Sequence, residues 1–192
     1  IMEILFLILF SAAIWVYAWQ LLGFTKNNNR SDSKSTIEGI ITGVLGIIIL
    51  ITGFQASGFT QEQVTNAQTI ILITFTSLWA IYLLLLSAIS LWKLDEKPVS
   101  FYNLFLGIIS IVFAIYLSTG DSFLGGTINN ISSGLLTICA IILAIYAIIN
   151  FFLLRPELNN SRTTRLTLGG INLGVSIILI LAGSLGIIGA ML

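Results

Sequence analysis

Six long apolar stretches make up most of this 192-residue chain, and short polar connections separate them. We predict membrane-spanning helices at residues 1–22, 37–54, 69–92, 101–119, 131–154 and 166–192. A helix needs about 20 mainly apolar residues to cross the hydrocarbon core of a bilayer, and each stretch is near or above that length. We therefore expect an all-α membrane protein with one domain, residues 1–192, built as a six-transmembrane-helix bundle.

The composition supports a lipid environment. Hydrophobic residues make up 57% of the chain and charged residues only 8%, whereas a soluble domain carries about 25% charged residues. A soluble fold of this size could not hide so many apolar side chains from water. The eight basic and eight acidic residues cancel, so the chain has no basic groove for a nucleic acid.

The basic residues predict the orientation in the membrane. All eight Lys and Arg lie in the connections 23–36, 93–100 and 155–165, and none lies in 55–68 or 120–130. Because basic loops stay in the cytoplasm, the first, third and fifth connections are expected inside. Both termini are then expected outside.

The chain lacks the side chains of most catalytic centres. It has no His, a single Cys at position 139, and no Lys or Arg within an apolar stretch. These facts exclude a His-ligated metal, a serine–histidine triad, an internal disulfide and a buried Schiff-base lysine. We therefore expect no catalytic residue, no metal and no cofactor.

A weak internal repeat runs through the six stretches. The even-numbered stretches carry a small or amide residue four positions before a glycine: Gly39/Gly43, Asn103/Gly107 and Gly170/Gly174. The odd-numbered stretches align on Tyr17, Tyr82 and Tyr146. Both series repeat at about 65 residues, which predicts three two-helix hairpins with approximate threefold symmetry. One hairpin is split between the two termini.

Small residues are expected to hold the helices together. In lipid no hydrophobic force joins helices, so close backbone approach has to do so. The candidate packing positions are Gly39, Gly43, Gly46, Gly107, Gly170 and Gly174. On this basis we expect the even-numbered helices to form the inner layer and the bulkier odd-numbered helices to face lipid.

Four polar side chains form a candidate intramembrane site: Glu38, Asn103, Asn150 and Asn172. The three asparagines are expected to bond across helices, because an amide cannot satisfy itself fully on its own helix. Glu38 ends the segment Ser-Thr-Ile-Glu at 35–38, which has the form of a capping box at a helix start. A proton- or cation-coupled role for Glu38 is the alternative.

The glycine-rich segments 39–50, 106–111 and 173–178 resemble those of the HdeD family of six-helix membrane proteins. Two features depart from the family pattern, since an extra helix comes first and the usual proline is missing after Phe54 and Thr119. The resemblance implies a multi-pass protein of the cytoplasmic (inner or plasma) membrane of a bacterium or archaeon, linked to stress or acid resistance. It transfers no functional residue to this chain.

The function expected from these features is that of a non-enzymatic membrane protein acting by helix packing. Its partners would be membrane lipids and either further copies of itself or the other subunits of a larger complex. The alternative is a small channel or transporter for a neutral solute or protons, because hairpin repeats occur in many transporters. An intramembrane enzyme is the third interpretation, and it lacks a carboxylate with a partner base.

Overall fold

The structure, a computed structural model, describes residues 2–22, 31–56, 67–92, 94, 97–118, 133–153 and 162–191. These residues form six α-helices and contain no strand. The helices are α1 (Met2–Leu22), α2 (Ser31–Ala56), α3 (Ala67–Trp92), α4 (Lys97–Ser118), α5 (Ser133–Leu153) and α6 (Arg162–Met191). The prediction of an all-α chain is confirmed.

Five helices are long and apolar enough to cross a bilayer, which is the pattern of a multi-pass membrane protein. The apolar part of α2, Ile37–Gly53, is shorter than that of the other helices. The candidate spans of the other helices are Ile4–Leu22, Ile70–Trp92, Lys97–Ser118, Leu135–Leu153 and Thr163–Ile187.

The even-numbered helices begin earlier than predicted. Helix α2 starts at Ser31 and α4 at Lys97, because polar residues extend each helix beyond the part that length and hydropathy identify. Pro98 is tolerated in the first turn of α4, where its missing N–H has no partner within the helix. The predicted capping box at 35–38 is wrong, since α2 begins four residues before Ser35.

The helices pack in chain order around a closed ring. The most extensive contacts are those of α1 with α6, α2 with α3, and α4 with α5. Smaller contacts join α1 to α2, α3 to α4 and α5 to α6. We call the end at which α1, α3 and α5 finish the basic end, because α4 and α6 begin there with Lys97 and Arg165 in their first turns.

The two layers are the reverse of our prediction. The largest buried side chains come mainly from the odd-numbered helices and include Phe10, Trp79, Tyr82, Leu143 and Tyr146. Most of the exposed Ile and Val residues belong to the even-numbered helices. Aromatic side chains fill the centre of the helix bundle. The small residues of α2 and α4 let each of these helices approach one neighbour closely, and their branched side chains face outward.

Candidate functional site

The glycines of α2 lie against α3. A Cβ atom added at Gly39 would be 3.0 Å from the Ser90 Cβ, and one at Gly46 would be 3.2 Å from the Ala80 carbonyl oxygen. At Gly43 the added atom would be 2.6 Å from the Ser87 hydroxyl oxygen. A side chain at any of these positions would require α3 to shift, so the three predicted positions on α2 lie in a close helix contact.

The glycines of α4 and α6 differ from one another. Gly107 lies against α5, with an added Cβ 3.0 Å from the Ile148 Cγ1. On α6 the close contacts with α1 are made by Gly169 and Gly183. At Gly170 and Gly174 an added Cβ would meet no atom of the described chain within 4 Å, so these two predicted packing positions are not in contact within the bundle.

Two serines add hydrogen bonds to these close contacts. The Ser87 hydroxyl on α3 donates to the Gly39 carbonyl oxygen on α2 at 2.7 Å. The Ser100 hydroxyl on α4 donates to the Phe151 carbonyl oxygen on α5 at 2.8 Å. Both serines are buried, and each bond joins two extensively packed helices near the basic end.

A buried chain of hydroxyl and amide groups connects three helices in the interior. The Tyr146 hydroxyl on α5 donates to the Asn172 side-chain oxygen on α6 at 2.6 Å. The same hydroxyl lies 3.4 Å from the Tyr82 hydroxyl on α3. The Asn172 amide nitrogen donates to the Leu168 carbonyl oxygen of its own helix at 2.7 Å, so both polar atoms of Asn172 have partners.

The other two predicted asparagines flank this chain. The Asn150 amide nitrogen donates to the Tyr146 carbonyl oxygen at 2.8 Å, and the Asn103 side chain lies close to the Tyr82 hydroxyl. Both asparagines are fully buried. The structure therefore brings Asn103, Asn150 and Asn172 to one place, which we call the Tyr–Asn cluster together with Tyr82 and Tyr146.

Glu38 lies on α2, in the second turn of that helix rather than the first. It is buried, at 8% exposure, and its carbonyl oxygen accepts a hydrogen bond from the Thr42 hydroxyl at 2.9 Å. The members of the Tyr–Asn cluster come from α3, α4, α5 and α6, whereas Glu38 belongs to α2.

The tyrosines were not predicted as members of a polar site, although their spacing helped to define the repeat. A useful signal was available, because a buried tyrosine hydroxyl usually has a hydrogen-bond partner. Trp79 was missed altogether. Its ring packs edge-on against Tyr82 at a centroid distance of 5.7 Å and lies 6.1 Å from Tyr146.

Further from the basic end, aromatic rings fill the interior beside the small buried hydroxyls of Ser11, Thr76, Ser110 and Ser176. Phe75 on α3 stacks on Phe113 on α4 with the two ring centroids 4.1 Å apart. The ring centroid of Phe6 on α1 lies 6.4 Å from that of Phe75. A cavity of about 20 Å³ between these rings is lined by apolar side chains and Cys139. Such a cavity offers water no hydrogen-bond partners and stays dry.

The cluster can orient and bind neutral polar groups, but it offers little for covalent chemistry. Its members are hydroxyls and amides, and the described residues contain no group of three or more His, Cys, Asp or Glu side chains suited to a metal ion.

The chain matched no protein-family model, no curated protein and no solved structure.

Proposed function

We propose that this chain is a non-enzymatic membrane protein that acts through helix packing, as a homo-oligomer or as an accessory subunit of a larger membrane complex. The observation that carries this proposal is the contrast between a filled interior and an apolar exterior. Phe6, Phe75 and Phe113 close the centre of the ring away from the basic end, while branched apolar side chains cover the even-numbered helices outside.

The outward face of α6 supports an association role. Gly170 and Gly174 stand four residues apart on one face of this helix, and both are exposed. In membranes such a pair lets a second helix approach closely. The same spacing at Gly39 and Gly43 is already used against α3, so α6 offers a packing surface that none of the described helices covers.

We further propose that the bundle contains three equivalent hairpins, α2–α3, α4–α5 and α6–α1. Gly46 meets Ala80 and Leu83, and Gly107 meets Ala144 and Ala147 at the corresponding places. The glycine spacing in the sequence had instead paired Gly43 with Gly107.

The third hairpin follows the same register. Gly39 on α2 bonds to Ser87, Ser100 on α4 bonds to Phe151, and Gly169 on α6 packs against Leu22. The contact residues on the odd-numbered helices are Leu22, Ser87 and Phe151. Each follows the aligned tyrosine of its helix (Tyr17, Tyr82 or Tyr146) by the same number of residues. A repeat of two-helix hairpins is what the resemblance to the HdeD family implies, and we propose membership of that type and residence in a prokaryotic cytoplasmic membrane.

The association proposal is tested by cross-linking in native membranes. With Cys139→Ala as background, Gly174→Cys should form a disulfide-linked dimer, or an adduct with a partner subunit, on mild oxidation. Val44→Cys is the matched control, since Val44 is also exposed, at 49%, but lies on α2. A protein that remains a monomer in native membranes, without adducts from either position, contradicts the proposal.

A small channel or transporter for a neutral solute or protons is the second candidate. The Tyr–Asn cluster favours it, because buried polar groups in a membrane often mark a solute path. The aromatic closure beyond the cluster opposes it. Uptake of urea, glycerol and protons into proteoliposomes tests this candidate, and flux equal to that of empty liposomes rejects it.

A further inference from the structure

Several buried polar atoms beside the two tyrosines have no hydrogen-bond partner in the described chain. They are both amide atoms of Asn103, the Asn150 side-chain oxygen and the Trp79 indole nitrogen. Asn103, Asn150 and Trp79 are each fully buried. A buried polar group without a partner costs free energy, so an arrangement that concentrates them at one place calls for an explanation.

The positions of Asn103 and Asn150 along their helices bring the two side chains to one level. Asn103 lies between Ser100, which bonds to Phe151, and Gly107, which packs against Ala147. Asn150 lies between those two α5 residues. The Asn103 amide and the Asn150 oxygen therefore flank the same part of the interface between α4 and α5, beside Tyr82 and Tyr146.

The donor and acceptor roles of the two tyrosine hydroxyls determine which of their atoms can still form a hydrogen bond. Tyr146 gives its only hydroxyl proton to Asn172, so Tyr82 must donate to Tyr146 in the contact between the two hydroxyls. The Tyr82 oxygen then keeps a lone pair that can accept a hydrogen bond. It adds one more acceptor on the side where Asn103 lies.

The chemistry of these groups selects the kind of molecule that can satisfy them. The Asn103 nitrogen and the Trp79 nitrogen are donors, while the Asn103 and Asn150 oxygens are acceptors. A cation would satisfy only the oxygens, and an anion only the nitrogens. A small neutral molecule that both donates and accepts satisfies both kinds, and a buried water molecule typically makes about three such bonds.

We propose that the Tyr–Asn cluster binds water between α4 and α5, with Asn103, Asn150 and Tyr82 as its partners. This hydration site is independent of the proposed association role. A small neutral solute with a hydroxyl or amide group has the same bonding chemistry and is the second source of the ligand. Asn172, which has protein partners at both amide atoms, serves as the internal control for a dry asparagine.

The test is solution NMR of the full chain labelled with ¹⁵N-asparagine and held in lipid nanodiscs. Rotating-frame cross-relaxation should transfer magnetisation from water to the Asn103 side-chain amide protons, and not to those of Asn172. The variant Asn103→Leu assigns the resonance and removes the signal. Cross-relaxation from a co-purified solute instead of water would identify the second source and support the site.

An Asn103 amide without contact to either water or a solute overturns the proposal, because direct donation to Tyr82 would then account for it. Thermal stability gives an independent measurement if the NMR variant folds poorly. With water bound, Asn103→Leu and Asn150→Leu should each lower the melting temperature, and the double variant should lower it by less than the sum. A rise in melting temperature for Asn103→Leu, the result expected for a dry orphan amide, also overturns it.

Discussion

The Tyr146 hydroxyl donates a 2.6 Å hydrogen bond to the Asn172 side chain, and this bond ties α5 to α6 where the two helices otherwise touch little. Replacing Tyr146 with Phe should therefore destabilise the bundle. Interhelical hydrogen bonds in membrane proteins contribute about 0.6 kcal/mol on average. We expect a loss of at least that size in Tyr146→Phe, measured by unfolding in mixed micelles.

A double-mutant cycle separates this bond from other effects of the substitution. Asn172→Leu should also destabilise, and the combined variant should lose less than the sum of the two. Additive losses would show that the two side chains do not interact.

Gly46 should not tolerate a side chain. In Gly46→Val the new Cβ would lie 3.2 Å from the Ala80 carbonyl oxygen, which is backbone and cannot rotate away. Overpacking of this kind costs about 1–3 kcal/mol, and the loss should appear in detergent unfolding. Gly174→Val is the matched control when both variants are unfolded as detergent-solubilised monomers, where no second helix occupies α6. It should then unfold like the parent protein, because nothing in the described chain lies within 4 Å of its added Cβ.

The bond from Ser87 to the Gly39 carbonyl should contribute modestly to the contact between α2 and α3. Ser87→Ala removes a 2.7 Å interhelical bond, and we expect a loss of about 0.6 kcal/mol. Ser184→Ala is the control, since that exposed hydroxyl bonds to the Ile180 carbonyl of its own helix. Equal stability of the two alanine variants would contradict a role for the Ser87 bond.

The basic connections should face the cytoplasm. In a Cys139→Ala background, Lys26→Cys should react with a membrane-impermeant maleimide only after permeabilisation, and Asp121→Cys should react in intact cells. Both positions lie outside the described residues. Labelling of both positions from the same side would refute the proposed orientation.

The helices and their approximate places could be predicted from hydropathy alone, because an apolar run of this length has few alternatives to a helix in lipid. The starts of α2 and α4 could not. Ser31 and Lys97 begin their helices in polar sequence, where hydropathy carries no signal about where a helix begins.

The inner and outer layers could not be read from the sequence because lipid and protein interior are equally apolar. Ile108 on α4 is exposed and Leu143 on α5 is buried, yet hydropathy treats them alike. The same limit explains α6, where Gly169 and Gly183 make the close contacts and Gly170 and Gly174 do not. One residue along a helix turns a side chain by about 100°, and the sequence does not show which way it faces.

Part of the polar site could be predicted from the sequence. The asparagines stood out because an amide needs partners in lipid, and three of them do meet around two tyrosines. Glu38 also stood out, but it lies on α2, which supplies no member of the Tyr–Asn cluster. Trp79 gave no signal, because a tryptophan in an apolar run fits a lipid-facing position as well as an interior one.

The extensive pairing of α1 with α6 has a consequence for biogenesis. Helix α1 is synthesised first, yet α6, the helix with which it packs most extensively, is synthesised last. While α2–α3 and α4–α5 can form from adjacent segments, the surface of α1 near Ile8 and Leu22 must wait in the membrane until Gly169 and Gly183 arrive. The pairing of α1 with α6 is therefore the most non-local step of assembly. Nascent chains that end before α6 should be the preferred targets of membrane quality control.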